Sequence, residues 1–168
     1  INDASKRGVL TVEADGNAWT SPVYPLWASA LGDLDGDGRD EILLGIWSTK
    51  RRHDEPQPHR TVWVMEWSHG MLEPMWRGSA LSQPLVDFAV ADLDGDGVAE
   101  LLSVERGGGT CHLTAYRWYG FGFGALSRKE QPCAALALAG RQEPRVVTPD
   151  GEHVVRLSAD GDLELTRP

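Results

Sequence analysis

Two ten-residue windows of the sequence carry acidic side chains at alternating positions. Residues 32–41 read GDLDGDGRDE and residues 91–100 read ADLDGDGVAE. Carboxylates at this density repel one another, so a folded loop holds them most readily around a cation. Oxygen ligands at alternate positions suit Ca²⁺, which takes six to eight oxygens at about 2.3–2.6 Å. The sequence therefore predicts two calcium-binding loops.

The predicted ligands occupy positions 1, 3, 5, 7 and 9 of each loop. Aspartate carboxylates come from the first three positions, a backbone carbonyl from position 7 and a glutamate from position 9. Gly38 and Gly97, at position 6, permit the sharp bend that a Cβ would oppose. The predicted ligands are Asp33, Asp35, Asp37, Arg39 and Glu41 in the first loop and Asp92, Asp94, Asp96, Val98 and Glu100 in the second.

An EF-hand and a magnesium site fit these loops less well than a calcium loop between strands. An EF-hand needs a bidentate Glu at position 12 and flanking helices, but Leu44 and Ser103 stand at that position and both flanks are predicted to be strands. Magnesium is less expected, because it retains waters and rarely uses an all-protein cage. A solvated acidic turn without an ion stays open as the remaining alternative.

Composition excludes some classes of partner. The 168 residues carry 16 basic and 25 acidic side chains, a formal net charge of −9, with no basic cluster that could follow a phosphate backbone. Nucleic acid is therefore not an expected partner. The longest apolar run, residues 133–139, is too short to cross a bilayer, and no membrane insertion is expected.

The similarity between the two windows extends beyond them. The acidic loops start 59 residues apart, and each is followed by an apolar stretch and then by a second one that ends in Trp67 or Trp118. The first copy has eight extra residues, which fall in a Pro-, His- and Arg-rich stretch at residues 48–60. A self-similarity of roughly 50–60 residues is typical of blade or array architectures.

The fold prediction is all-β. Strand-length segments alternate with Gly, Asp, Asn and Pro turns, and no segment shows a helical apolar face. The predicted strands include residues 61–67, 85–91, 133–139, 145–148 and 163–166. We expect about fourteen strands in a β-propeller-like array of four-stranded blades, about three and a half in number. The expected single domain comprises the end of a preceding blade (1–20), two blades with calcium loops (22–77 and 84–128) and a degenerate blade without one (132–168).

The loop pattern Asp-x-Asp-x-Asp-Gly-x-x-(Asp/Glu), followed directly by an apolar strand, resembles the FG-GAP/VCBS-type repeat. That repeat forms the calcium-binding β-propeller of integrin α subunits and occurs in many bacterial surface and secreted proteins. The match is close over residues 32–47 and 91–104, looser over the strands between them and weak after Cys133. The resemblance implies a structural ion and a surface available for partners. A seven-bladed ring needs more than twice this length, so the chain could belong to a larger assembly, be completed by other chains, or remain open.

The expected function is that of a calcium-stabilised, non-catalytic binding or scaffold module that mediates protein–protein interaction or adhesion. An extracellular, periplasmic or cell-surface location is expected, because open loops bind calcium at roughly 10⁻⁴–10⁻³ M and would stay mostly empty in the cytosol. A lectin-like carbohydrate-binding propeller and an accessory part of a secreted enzyme are the alternatives. No motif of a serine hydrolase, phosphate loop, zinc protease or haem attachment occurs, so the chain itself is not expected to be an enzyme.

The cysteines, a loop rich in histidine and arginine, and the tryptophans are further candidates for chemistry or binding. Cys111 and Cys133 begin predicted strands in adjacent copies, which leaves a disulfide open; Cys111 and His112 are not expected to form a catalytic pair, because strand neighbours point to opposite faces. His53 and His59 are expected in a solvated, mobile loop, with ligation of a transition metal as the alternative. Arg51, Arg52 and Arg60 of the same loop would suit an acidic partner or anionic glycan. Most tryptophans are expected to pack between blades, whereas Trp19 or residues 118–123 could stack on sugars.

Overall fold

The computed structural model describes residues 7–49, 58–78, 81–133, 137–139 and 143–168, which form strands, turns and loops with no helix. This confirms the all-β prediction, and none of the described residues builds a helix able to span a membrane. The strands are β1 (Arg7–Gly8), β2 (Thr11–Ala14), β3 (Asn17–Thr20), β4 (Tyr24–Gly32), β5 (Glu41–Ser48), β6 (His59–Ser68), β7 (Met71–Arg77), β8 (Leu85–Ala91), β9 (Glu100–Gly107), β10 (Thr110–Trp118), β11 (Phe123–Gln131), β12 (Ala137–Ala139), β13 (Arg145–Thr148), β14 (Gly151–Leu157) and β15 (Leu163–Thr166).

The chain divides into two compact units, of which the first comprises Ile1–Leu31 and Asp40–Ser79. It contains a sheet of order β1-β4-β5-β6-β7 and the separate hairpin β2-β3. Alternate residues of β5 enter one core, where Ile42, Leu44 and Ile46 are buried together with Met65 and Leu72. The six residues from Glu41 to Ile46 are all buried, so β5 is covered on both faces, as expected for a continuous apolar strand.

The second unit comprises Gly32–Arg39 and Ala80–Pro168. It contains two four-stranded sheets, of orders β11-β10-β9-β8 and β12-β13-β14-β15, in which neighbouring strands are antiparallel. The core cluster of this unit includes Leu102, Val104 and Leu113 from one sheet and Val146 and Val155 from the other. The four-stranded antiparallel sheets expected from the sequence are therefore present.

Several strand bounds follow the apolar segments closely. Strands β8, β13 and β15 have the bounds that the apolar segments predict. The expected strand at residues 133–139 is described only from Ala137 to Ala139, and residues 134–136 of it, like His53, Arg51 and Arg52, lie outside the described residues. The β5–β6 connection is eight residues longer than the two-residue β9–β10 connection, since it runs from 49 to 58, where the sequence comparison placed the extra residues.

The expectation of a solvated loop around His59 and Arg60 is wrong. His59 starts β6, is 8% exposed and pairs with Ser48 in the register of β5 and β6. The guanidinium of Arg60 lies 4.8 Å from the ring centre of Trp27 and 5.1 Å from that of Trp47. Both residues therefore belong to the sheet, because the strand continues two residues further towards the insertion than the apolar pattern indicated.

The tryptophans are less deeply placed than the packing expectation implied. Only Trp118 is buried, at 5% exposure, whereas the other six are partly exposed. Trp19, Trp63 and Trp67 pack against the core cluster of the first unit. An indole ring has a large surface and a polar N–H, so partial burial at the margin of a core is common for this residue.

Candidate metal centre

Both acidic loops connect two strands. Residues 33–40 link β4 to β5, and residues 92–99 link β8 to β9. The strand flanks exclude an EF-hand, as the sequence predicted. Gly38 and Gly97 have φ angles of 85° and 91°, in the left-handed region that favours glycine. Gly36 and Gly95, at position 4, also have positive φ, at 79° and 80°, a second bend that the sequence analysis did not identify.

Backbone amides of the first loop point at its own aspartates. Such bonds orient short acidic side chains within a turn, so the carboxylates converge although Asp35 and Asp37 are exposed. The bonds run from Gly36 N to Asp33 Oδ1 (2.7 Å), from Gly38 N to Asp33 Oδ2 (2.8 Å), from Asp37 N to Asp35 Oδ1 (3.2 Å) and from Arg39 N to Asp37 Oδ1 (2.8 Å).

The second loop has the same pattern at the equivalent positions, with one additional bond. This agreement arises because both loops place glycine at positions 4 and 6 and aspartate at positions 1, 3 and 5. The bonds run from Gly95 N and Asp96 N to Asp92 Oδ1 (2.7 and 3.1 Å), from Gly97 N to Asp92 Oδ2 (2.9 Å), from Asp96 N to Asp94 Oδ1 (3.2 Å) and from Val98 N to Asp96 Oδ1 (2.8 Å).

Each loop brings three carboxylates to one point. One oxygen from each of Asp33, Asp35 and Asp37 lies within 4.8 Å of the others, and Asp92, Asp94 and Asp96 form the same arrangement. Two oxygens bound to one Ca²⁺ at about 2.3–2.6 Å lie at most about 5 Å apart. The spacing and the hard, anionic donors thus fit a calcium ion. We call these groups the first and second triads.

The position-9 glutamates occupy a different environment from the aspartates. Glu41 begins β5 at 4% exposure, and Glu100 begins β9 fully buried. Oε2 of Glu100 accepts a 2.9 Å bond from the amide of Leu93, so this side chain joins the start of the loop to the first residue of β9. Burial raises the pKa of Glu100 above its ordinary value, and the bonds from Arg117 and Leu93 oppose that rise. The ligand roles of the six aspartates, of Glu41 and Glu100 and of the carbonyls of Arg39 and Val98 all stay predictions.

Arg117, on β10, is the residue of this site that the sequence analysis missed. Its Nη2 lies 3.0 Å from Oδ2 of both Asp94 and Asp96 and 2.5 Å from Oε1 of Glu100. Hydrogen bonding to Glu100, followed by the charges of the other two acids, raises the pKa of Arg117 above its ordinary value. Only the pairing of β9 with β10 places the guanidinium here, so no local signal in the sequence could have identified it.

Cys111 and His112 do not form a catalytic pair. Cys111 is bonded to Cys133, with their Cα atoms 4.8 Å apart, so the open disulfide question is answered and Cys111 is not a nucleophile beside His112. Glu105 is fully buried and accepts bonds from Ser103 Oγ and Tyr116 Oη, each 2.7 Å long. Its Oε2 also accepts a 2.7 Å bond from the amide of Gln83, so this buried carboxylate joins β9 and β10 to the segment that precedes β8.

Two comparisons with known proteins gave no match: no protein-family model matches the sequence, and no curated protein is significantly similar to it. The case for a metal centre therefore rests on the two loops themselves, namely on their shared sequence pattern, their shared hydrogen bonds and the convergence of their carboxylates.

Proposed function

We propose that this chain is a non-catalytic binding or scaffold module whose two acidic loops each hold a structural calcium ion. The observation that carries the proposal is the recurrence of one carboxylate triad, with the same internal hydrogen bonds, at two strand-to-strand connections. One such turn could arise as a solvated acidic loop, but two with the same bonding pattern favour a shared ligand. Six aspartates in these triads carry much of the negative charge that a pair of Ca²⁺ ions would offset.

The proposed ions stabilise the fold and do not take part in chemistry. Each loop joins two neighbouring strands, so an ion bound to the three aspartates would fix the connection. The four-stranded antiparallel sheets are compatible with blades of a propeller-type array, and we propose that arrangement for the chain. In this architecture the loops maintain the sheets, and the exposed strands and turns are available for a protein partner in interaction or adhesion.

We also propose that the protein works outside the cytosol, at an extracellular, periplasmic or cell-surface location. The Cys111–Cys133 bond supports this, because disulfides persist in oxidising compartments. The proposed calcium sites agree with this location, since open loops of this kind fill at the calcium concentrations found outside cells. The two arguments are independent, one concerning thiol chemistry and the other concerning ion supply.

Calorimetric titration of the metal-free protein with CaCl₂ tests the calcium proposal. We expect two bound ions and a melting temperature that rises with calcium and falls again with a chelator. Titration with MgCl₂ is the control for a general charge effect and should give much weaker heat and a smaller shift. No binding at millimolar calcium, together with a melting temperature indifferent to chelator, would leave the loops as acidic turns.

A carbohydrate-binding function is the second candidate, because aromatic rings project at the β10–β11 connection. Phe121 is 85% exposed and Tyr119 is 54% exposed, and the Tyr119 amide donates a 3.0 Å bond to the Gly122 carbonyl that closes the turn. A glycan array with the wild type, Phe121→Ala and, as control, Met71→Ala tests this function. Sugar binding that Phe121→Ala abolishes would favour the lectin-like alternative.

A further inference from the structure

A single guanidinium nitrogen contacts three carboxylates of the second loop. Nη2 of Arg117 reaches Oδ2 of Asp94, Oδ2 of Asp96 and Oε1 of Glu100, and Nε donates a further 3.1 Å bond to the same Glu100 oxygen. The register of the sheet explains this position. Leu101 pairs with Tyr116, so Arg117 stands opposite Glu100 at the end of the loop.

Arg117 uses the oxygen atoms that a metal ion would require. The Oδ1 atoms of Asp94 and Asp96 already accept bonds from the amides of Asp96 and Val98. Their Oδ2 atoms are therefore the ones with the most remaining capacity for a cation, and those are the atoms bonded to Arg117. A guanidinium and a calcium ion at this triad would compete for the same lone pairs.

Among the described residues, the first triad has no equivalent cation. Ile42 pairs with Met65, so the residue at the position equivalent to Arg117 is Glu66, which has the opposite charge. Within the described parts of the chain, no ion pair joins a basic side chain to Asp33, Asp35 or Asp37. Two triads of the same geometry thus differ in whether the chain supplies its own counter-ion.

We propose that Arg117 is a tethered competitor of calcium at the second triad and makes it the weaker of the two sites. This inference rests on the proposed calcium-binding function. Without calcium the guanidinium holds the second triad together. Calcium must displace it from the Asp94 and Asp96 oxygens before it can bind, whereas the first triad has no such occupant. The first loop therefore fills at lower calcium concentration than the second.

The test isolates the second loop in an Asp37→Asn background, in which the first triad has lost one charge. CaCl₂ titrations of this protein and of its Arg117→Gln derivative give the Kd of the second site. Removal of the Arg117 guanidinium should lower that Kd roughly tenfold, a change in binding free energy equivalent to one charge-assisted hydrogen bond. Arg106→Gln is the matched control, because it makes the same change in net charge at an exposed residue of β9. Arg106 lies about 20 Å along the strand from Glu100, beyond the Debye length of about 8 Å.

A second measurement needs no substitution at Arg117, because Arg117→Gln also leaves the buried Glu100 without its cation and could unfold the sheet. In an NMR titration of the wild type with CaCl₂, the Nε–H resonance of Arg117 should shift. The calcium concentration at the midpoint of that shift should be that of the weaker site. An unchanged Kd in a folded Arg117→Gln protein, or a stationary Arg117 resonance while the amides of the second loop titrate, would overturn the inference and leave the calcium function standing. No calcium binding at either loop would overturn both.

Discussion

The amide of Ala99 donates a 2.7 Å hydrogen bond to the backbone carbonyl of Asp33. The first residue of one acidic loop is thus joined to the last residue of the other. Leu34, the next residue of the first loop, is 1% exposed. A Cβ added at Gly36 in the first loop would lie 3.2 Å from Cγ2 of Val98 in the second loop. The two loops are therefore packed together within the second compact unit.

The packing between the loops predicts that Gly32→Ala is destabilising. A Cβ at this position would lie 2.5 Å from Cγ1 of Val90 and 3.0 Å from Cβ of Ala99. Overpacking of this kind typically costs about 1–3 kcal/mol, and urea denaturation would measure it. Val90→Ala removes the closest atom, so the double substitution should cost less than the sum of the two single ones. Strictly additive costs would show that the contact is not the cause.

Substitution of one aspartate should empty one site. Asp37→Asn removes a charge but keeps an acceptor for the amide of Arg39, so we expect one bound calcium instead of two in calorimetry. Asp96→Asn should act in the same way on the second loop. Each variant should lose up to about 2.7 kcal/mol of the calcium-dependent stability at a calcium concentration a hundredfold above Kd. Asp40→Asn, exposed and at position 8, is the control and should retain both ions.

The Cys111–Cys133 bond should be a major contributor to stability. It closes a loop with a sequence separation of 22 residues, for which the chain-entropy model predicts about 3 kcal/mol. The Cys111→Ala/Cys133→Ala protein should unfold at correspondingly lower urea concentration, and a reducing agent should shift the wild type to a similar midpoint. The same reductant should not affect the double variant. A wild-type midpoint insensitive to reduction would contradict the prediction.

Tyr116 should make the protein lose stability at alkaline pH. Burial, and secondarily the hydrogen bond to Glu105, raises the pKa of Tyr116 to about 12. The ordinary tyrosine value is about 10, so the native state favours the neutral phenol. That stabilisation is complete below about pH 10 and is lost as the pH rises towards 12. Denaturant unfolding of the wild type between pH 9 and 12 should show this decrease in the free energy of unfolding. The decrease should be absent in Tyr116→Phe and unchanged in the control Tyr119→Phe, whose tyrosine is exposed.

Local features of the sequence predicted the loops and most strands. The glycines at position 6 and the alternating aspartates determine the turn geometry through interactions within a few residues, so Gly38 and Asp33 behave as expected in isolation. The strand of Leu85–Ala91 likewise follows from its own apolar residues. The eight extra residues of the first copy were placed between β5 and β6 by spacing alone.

Interactions between distant residues required the tertiary structure. The pairing of β9 with β10 brings Arg117 to Glu100, 17 positions away, and no local pattern distinguishes that arginine from a solvated one. The same holds for Cys111 and Cys133, whose Cα atoms must come within a few ångströms, and for His59, which is buried because its strand extends beyond the apolar segment. Sequence thus determined the two acidic turns, because their geometry is local. The tertiary structure decided that Arg117 is the counter-ion of the second triad, because strand register depends on residues far apart in the sequence.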